Sequence, residues 1–185
     1  MKKLICLFVM VMLLGGCFHH TPKKSKPSAP FQSPSFNNFK SKGKEDAELF
    51  QTIGLGYFKQ KDLARAQFFL TKAVKLDPKL YWSWCCLGLL NIDNKEGYSY
   101  LKKSVKVKPD FPIPYYWMAY YHCRVREDQK AIPLFRKYVE LADGKPGEED
   151  RLMAAKEALQ ELQSGKEGKA LALIREPSEK VTAQK

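Results

Sequence analysis

The spacing of hydrophobic and polar positions divides this chain into stretches of different character. Residues 4–14 are an unbroken apolar run. Residues 18–45 show neither helical nor strand periodicity. From Ala47 onward, apolar and small residues recur three and four apart, the spacing of one face of an α-helix. Phe50, Ile53, Gly54 and Tyr57 form a first stripe, and Ala66, Leu70 and Ala73 a second. The alternation continues with Trp84, Leu87 and Gly88, then Gly97, Leu101 and Ser104. It continues again with Tyr115, Met118 and Ala119, then Ala131, Phe135 and Tyr138. The pattern predicts successive pairs of amphipathic helices. After Pro146, Leu152, Ala155, Leu159 and Leu162 mark one more helix, with Glu148, Glu149 and Asp150 suited to its N-terminal dipole and Gly165 as its stop. A short helix is expected through Ala170 to Ile174, and a disordered tail over 176–185.

The pairs repeat. Gly54 and Gly88 lie 34 residues apart, and Gly88 and Ala119 lie 31 apart. Ala66 and Gly97 lie 31 apart, and Gly97 and Ala131 lie 34 apart. One three-residue deletion between Asn91 and Gly97 explains both series, and its expected place is the turn between the helices. Asp62, Asp93 and Asp128 stand at the three turns as expected helix N-caps. Pro78 and Pro109 end the first two units.

These blocks resemble the tetratricopeptide repeat, a helix–turn–helix unit with the signature W-x2-L-G-x2-Y, later A-x3-F, then a small residue and a proline. The resemblance implies an all-α solenoid of three such units over residues 46–145, closed by a C-terminal capping helix region over 146–175. Solenoids need a cap because the last repeat otherwise exposes its packing face. The third block departs from the signature. It has Asp143 where proline is expected, bulky Tyr138 where a small residue is usual, and Pro133 inside its second helix, where a kink is expected.

At the N-terminus, Lys2 and Lys3 precede the apolar run, and Gly15, Gly16 and Cys17 follow it. The run is shorter than the ~20 residues a spanning helix needs and has the length of a secretory core. Leu14-Gly15-Gly16-Cys17 resembles the lipobox of bacterial lipoproteins. That resemblance implies cleavage of residues 1–16 and acylation of Cys17, which would anchor the chain in a membrane. Phe18 next to it, rather than Asp, leads to an expectation of outer-membrane placement facing the periplasm. Residues 17–45 then read as a disordered tether rich in Pro, Ser and Lys.

Composition narrows the chemistry. The 185 residues are 44% hydrophobic and 28% charged, enough apolar content for a packed body. The formal net charge is +12. Lys72, Lys75, Lys102, Lys103, Lys106 and Lys108 fall on the second helices, as a solvated basic face or one that meets anionic lipid or cell-wall polymer. No P-loop, dinucleotide turn, nucleophile elbow or HExxH is present, so the expectation is a non-enzyme without cofactor or catalytic residues. His122 falls on a packing position. Cys85 and Cys86 stand about six helical positions out of register with His122 and Cys123, an axial offset of about 9 Å that disfavours both a metal site and a Cys85–Cys123 disulfide. Buried free thiols are expected.

In the repeat family the concave surface comes from fixed positions of each first helix. Carried onto this chain, these are Glu48, Gln51, Leu55, Phe58 and Lys59; Trp82, Cys85, Leu89 and Ile92; and Ile113, Tyr116, Tyr120, Cys123 and Arg124. The implied site is an apolar, aromatic groove edged by Lys59 and Arg124. Such a groove suits a protein partner presenting an extended peptide or a helix, with Trp82 and Tyr116 as surface anchors. Its alternative occupants are the tether, the C-terminal helix or a second copy of the chain. Pilotins and envelope-assembly scaffolds offer family analogies for a lipid-anchored adaptor. The rival reading is a structural envelope protein acting through its basic face. Nucleic acid is not an expected partner.

Overall fold

The computed structural model describes residues 43–164 and 170–174. The expected signal segment, Cys17 and most of the expected tether, together with the tail from 176, lie outside the described residues. Among those described there are eight helices and no strand. They are α1 (Lys44–Lys59), α2 (Leu63–Leu76), α3 (Tyr81–Leu90), α4 (Lys95–Val107), α5 (Ile113–Arg124), α6 (Asp128–Ala142), α7 (Glu149–Gln163) and α8 (Ala170–Leu173). The first six form antiparallel pairs, α1/α2, α3/α4 and α5/α6. Each pair packs on the next, and α7 packs on α6. This is the expected all-α helix–turn–helix solenoid with a C-terminal cap. No described helix is long and apolar enough to cross a membrane.

Small residues set how closely each pair packs. A Cβ placed on Gly54 would lie 2.7 Å from Leu70 Cγ, and one on Gly88 would lie 2.6 Å from Leu101 Cγ. Leu70, Leu101 and Phe135, one per repeat, are fully buried against these surfaces. The signature aromatic does a second job. Trp84 Nε1 donates to the carbonyl of Pro78 at 2.8 Å, and Tyr115 OH donates to that of Pro109 at 2.9 Å. Each aromatic thereby ties its repeat to the proline that closes the one before. Ser83 Oγ adds a link between repeats, donating to Gln51 Oε1 at 3.0 Å.

The three-residue deletion does not fall where the sequence suggested. The turns after α1 and α5 span 60–62 and 125–127, while the turn after α3 spans 91–94. The loss is taken from the last helical turn of α3, which ends two residues after Gly88, whereas α1 ends five after Gly54. Repeats one and three close with the same backbone pattern, centred on Lys61 and Arg126, both at φ 60°. Repeat two has no counterpart, and Asn94 caps α4 instead, accepting from the amides of Glu96 and Gly97. This shortening explains why position 97 is glycine where the other repeats carry Ala66 and Ala131. A Cβ there would lie 2.0 Å from the Asn91 carbonyl oxygen.

The capping expectations divide accordingly. Asp62 accepts from the Arg65 amide at 3.1 Å, as expected. Asp93 is displaced by Asn94 and instead pairs with Arg124. Asp128 is the first helical residue of α6 rather than its cap. It still suits the positive end of the helix. α6 runs unbroken through Pro133, which is exposed, so water can satisfy the carbonyl its missing N–H leaves behind.

Gly97→Ala is expected to lower stability by about 2 kcal/mol or more, since the clash is with backbone and cannot be relieved by a rotamer change. Gly56→Ala, where nothing lies within 4 Å of the added carbon, should raise it by about 0.5–1 kcal/mol. Opposite shifts in thermal midpoint by circular dichroism check the pair; equal shifts would contradict the close approach at Asn91.

Candidate functional site

The first helices of the three pairs, α1, α3 and α5, lie side by side and form an inner row; α2, α4 and α6 form the outer one. The expected groove residues divide between two states. Leu55, Phe58 and Leu89 are half-buried, and Lys59 is exposed. Trp82 is 38% exposed, with its ring 4.7 Å from that of Phe111. Gln51 is half-buried and Glu48 exposed. These residues leave an accessible apolar strip along α1 and α3.

The third repeat differs. Tyr116 is fully buried and Tyr120 is 3% exposed, as are Cys123 and, at 0%, Cys85. Ile92 is also buried, and Ile113 half-buried. Tyr116 and Tyr120 are thus core residues, and their expected place on an open surface is corrected. The Tyr116 ring lies 5.1 Å from Trp117, 5.1 Å from Tyr138 and 5.9 Å from Phe135. Arg124 stays exposed at the edge, but it pairs with Asp93 and its guanidinium sits 5.7 Å from the Tyr120 ring.

The physical reason lies in α5 itself. Its sequence, IPYYWMAYYHCR, has no polar stripe, and nine of its twelve residues are buried. A helix that is apolar on every side must be covered on every side. α6, α3 and α4 pack against it, and so does α8. Ala170 and Ile174 belong to the same buried cluster as Cys85, Tyr116, Tyr120 and Cys123.

Tyr138, too large for its repeat position, is explained by the cap. Its hydroxyl donates to Glu148 Oε2 at 2.7 Å, and Arg151 pairs with the same carboxylate at 2.7 Å. Burial and the neighbouring carboxylate push the Tyr138 phenol far up. The phenol therefore keeps its proton and remains a donor in ordinary buffers. Sequence reasoning missed this triad; the oversized residue at position 138 was its one signal.

The thiols are inert. Burial, reinforced by adjacent Cys86, pushes Cys85 well up, and burial pushes Cys86 and Cys123 to about 12. A thiol that stays protonated is a poor nucleophile. All three are free. Among the described residues no group of His, Cys, Asp and Glu could hold a metal ion. His122 uses both ring nitrogens in packing contacts, with Glu127 Oε2 at 2.8 Å and the Tyr98 hydroxyl at 3.1 Å. On the outer row, Tyr98, Ser99, Lys102, Lys103 and Lys106 line an open depression of about 440 Å³.

Tyr116→Ala is expected to cost about 3–5 kcal/mol, as for other buried aromatics, and so to unfold or severely destabilise the protein. Tyr138→Phe should cost about 1–2 kcal/mol by removing one of the two side-chain donors to Glu148 Oε2, with Arg151 left as the other. Urea denaturation reads the first, and faster amide exchange confined to α6 and α7 reads the second. A Tyr116→Ala protein of native stability would restore that side chain to the surface.

Residues 47–80, the first helical pair and the link after it, match the tetratricopeptide repeat family. No curated protein matches the chain in sequence. Among solved structures the chain is similar to the first tetratricopeptide repeat domain of Spaghetti (RPAP3), bound to the HSP90 peptide SRMEEVD. The identity is 17% and the TM-score 0.55, over 66% of this chain and 94% of that one. The likeness is one of fold: the described body is an all-α tetratricopeptide-type solenoid, and its first unit carries the repeat's sequence signature.

Proposed function

We propose that the chain is a membrane-anchored adaptor that binds a protein segment on its inner row of helices. The fold is that of a protein-interaction module. The observation that supports this reading is the accessible strip formed by Leu55, Phe58, Trp82 and Leu89 on α1 and α3. An exposed Trp beside half-buried aliphatic and aromatic residues is the composition of an interface anchor. The similar solved domain carries an acidic peptide, with two Glu and one Asp. Among the described residues of the inner-row helices, Lys44, Lys59 and Arg124 could meet such a peptide; Lys44 lies 3.9 Å from Glu48, and Arg124 already pairs with Asp93. The segment bound here is therefore proposed to be mainly apolar.

The anchor rests on the N-terminal segment. Acylation of Cys17 supplies a membrane attachment, and each buried acyl methylene contributes about 0.8 kcal/mol. With a periplasmic outer-membrane placement, the adaptor would hold its partner near that membrane, in envelope, pilus or secretion-system assembly. A second reading is favoured by the depression on α4. Lys102, Lys103 and Lys106 form no salt bridge among the described residues, and an anionic polymer or lipid surface suits them.

A photo-crosslinking residue at Leu55 in the anchored protein tests the adaptor reading. The expected result is capture of one discrete envelope protein, reduced at least five-fold by Trp82→Ala with the thermal midpoint unchanged. Capture insensitive to Trp82→Ala would remove the inner row as the site. Retention on anionic polymer that collapses between low and high salt would favour the basic face instead. Cys17→Ser is expected to abolish palmitate labelling and release the protein from the membrane fraction; continued membrane retention would refute the lipid anchor.

A further inference from the structure

We infer that the segment of residues 170–174 is an internal ligand of the inner row, and that the partner class of this surface is a short apolar helix which takes its place. This rests on the inner-row reading and names what binds there. The segment reads Ala-Leu-Ala-Leu-Ile between charged stretches, with Lys169 before it and Arg175 and Glu176 after. Its helical part, α8, is four residues long. Helices that short do not form alone in water. α8 therefore owes its helix to the surface beneath it, the behaviour of a segment that folds on binding.

The surface it covers is one the repeat leaves open at this position. α8 packs mainly on α7 and also on α5. Ala170 is 1% exposed and Ile174 4%, in one cluster with Tyr116, Tyr120 and the thiols of Cys85 and Cys123. The accessible strip of Leu55, Phe58, Trp82 and Leu89 continues this inner row toward α1. A partner helix seated on the strip and extended toward α5 meets α8 in its path.

The cysteines supply a readout that needs no partner. Cys85 and Cys123 belong to the cluster that holds α8, whereas Cys86 belongs to a separate cluster with Ala66, Leu70, Val74 and Leu87. In the full chain, Ala170→Asp with Ile174→Asp would expel the segment. The expected result is modification of Cys85 or Cys123 by Ellman's reagent at least ten-fold faster, with Cys86 unchanged and the helical melt retained, sites being assigned by peptide mass spectrometry. A synthetic peptide of residues 165–180 added in trans should restore protection. A second full-length variant carries a Gly/Ser insert of about 20 residues after Ser164, which lowers the effective concentration of the segment without altering a contact. It should raise the same rate several-fold.

Unchanged thiol protection in either variant overturns the inference. So does equal exposure of all three thiols, loss of the melt, or failure of the peptide to restore protection, since each makes the segment a fixed part of the core. These results are independent of crosslinking at Leu55. Loss of Leu55 capture with the thiol response intact would instead overturn the adaptor reading alone.

Discussion

Close contact between the two helices of each pair is the constraint on which the rest of this structure depends. At Gly54 and Gly88 there is no room for one more carbon, because Leu70 and Leu101 already fill the space. That proximity buries the outer helix's apolar stripe without a thick core, so each unit can be thin and can stack on the next. It also sends the remaining side chains of the first helices away from their partners, toward neighbouring repeats and the inner surface. The inner row exists because the outer row packs so tightly behind it.

The second repeat shows how far this constraint can be stretched. Losing three residues shortened α3 and brought the Asn91 carbonyl onto α4, where only Gly97 can pass. The αL turn used by the other two repeats was lost with it, and Asn94 took over the capping. Asp93, freed from that duty, pairs with Arg124 of the third repeat. A local deletion thus became a contact between repeats, and one basic edge residue of the expected groove was neutralised in the process.

The third repeat shows the opposite pressure. α5 is apolar on all sides and cannot sit at the end of an open solenoid. Tyr138 reaches past its repeat to hold Glu148 of the cap, and Ala170 and Ile174 join the buried cluster that contains Tyr116 and Tyr120. Closure at this end and accessibility at the other make the inner surface asymmetric. Binding chemistry is left mainly to α1 and α3.

The sequence by itself determined the helical pairs, their number, their order and the cap. Spacings of 34 and 31 residues and the small residues at 54, 66, 88, 97, 119 and 131 are properties of the chain read in one dimension. It also marked the positions that face inward, since helical period alone assigns a face. Only the tertiary structure decided which of those inward positions are open. Trp82 and Tyr116 are alike in sequence terms, both large aromatics on the inner face of a first helix. One is 38% exposed and the other fully buried. The difference comes from what lies over each, and coverage is set by elements far along the chain. For Tyr116 those include Tyr138, 22 residues on in the next helix, and a cap that periodicity places after the repeats without saying how it folds back.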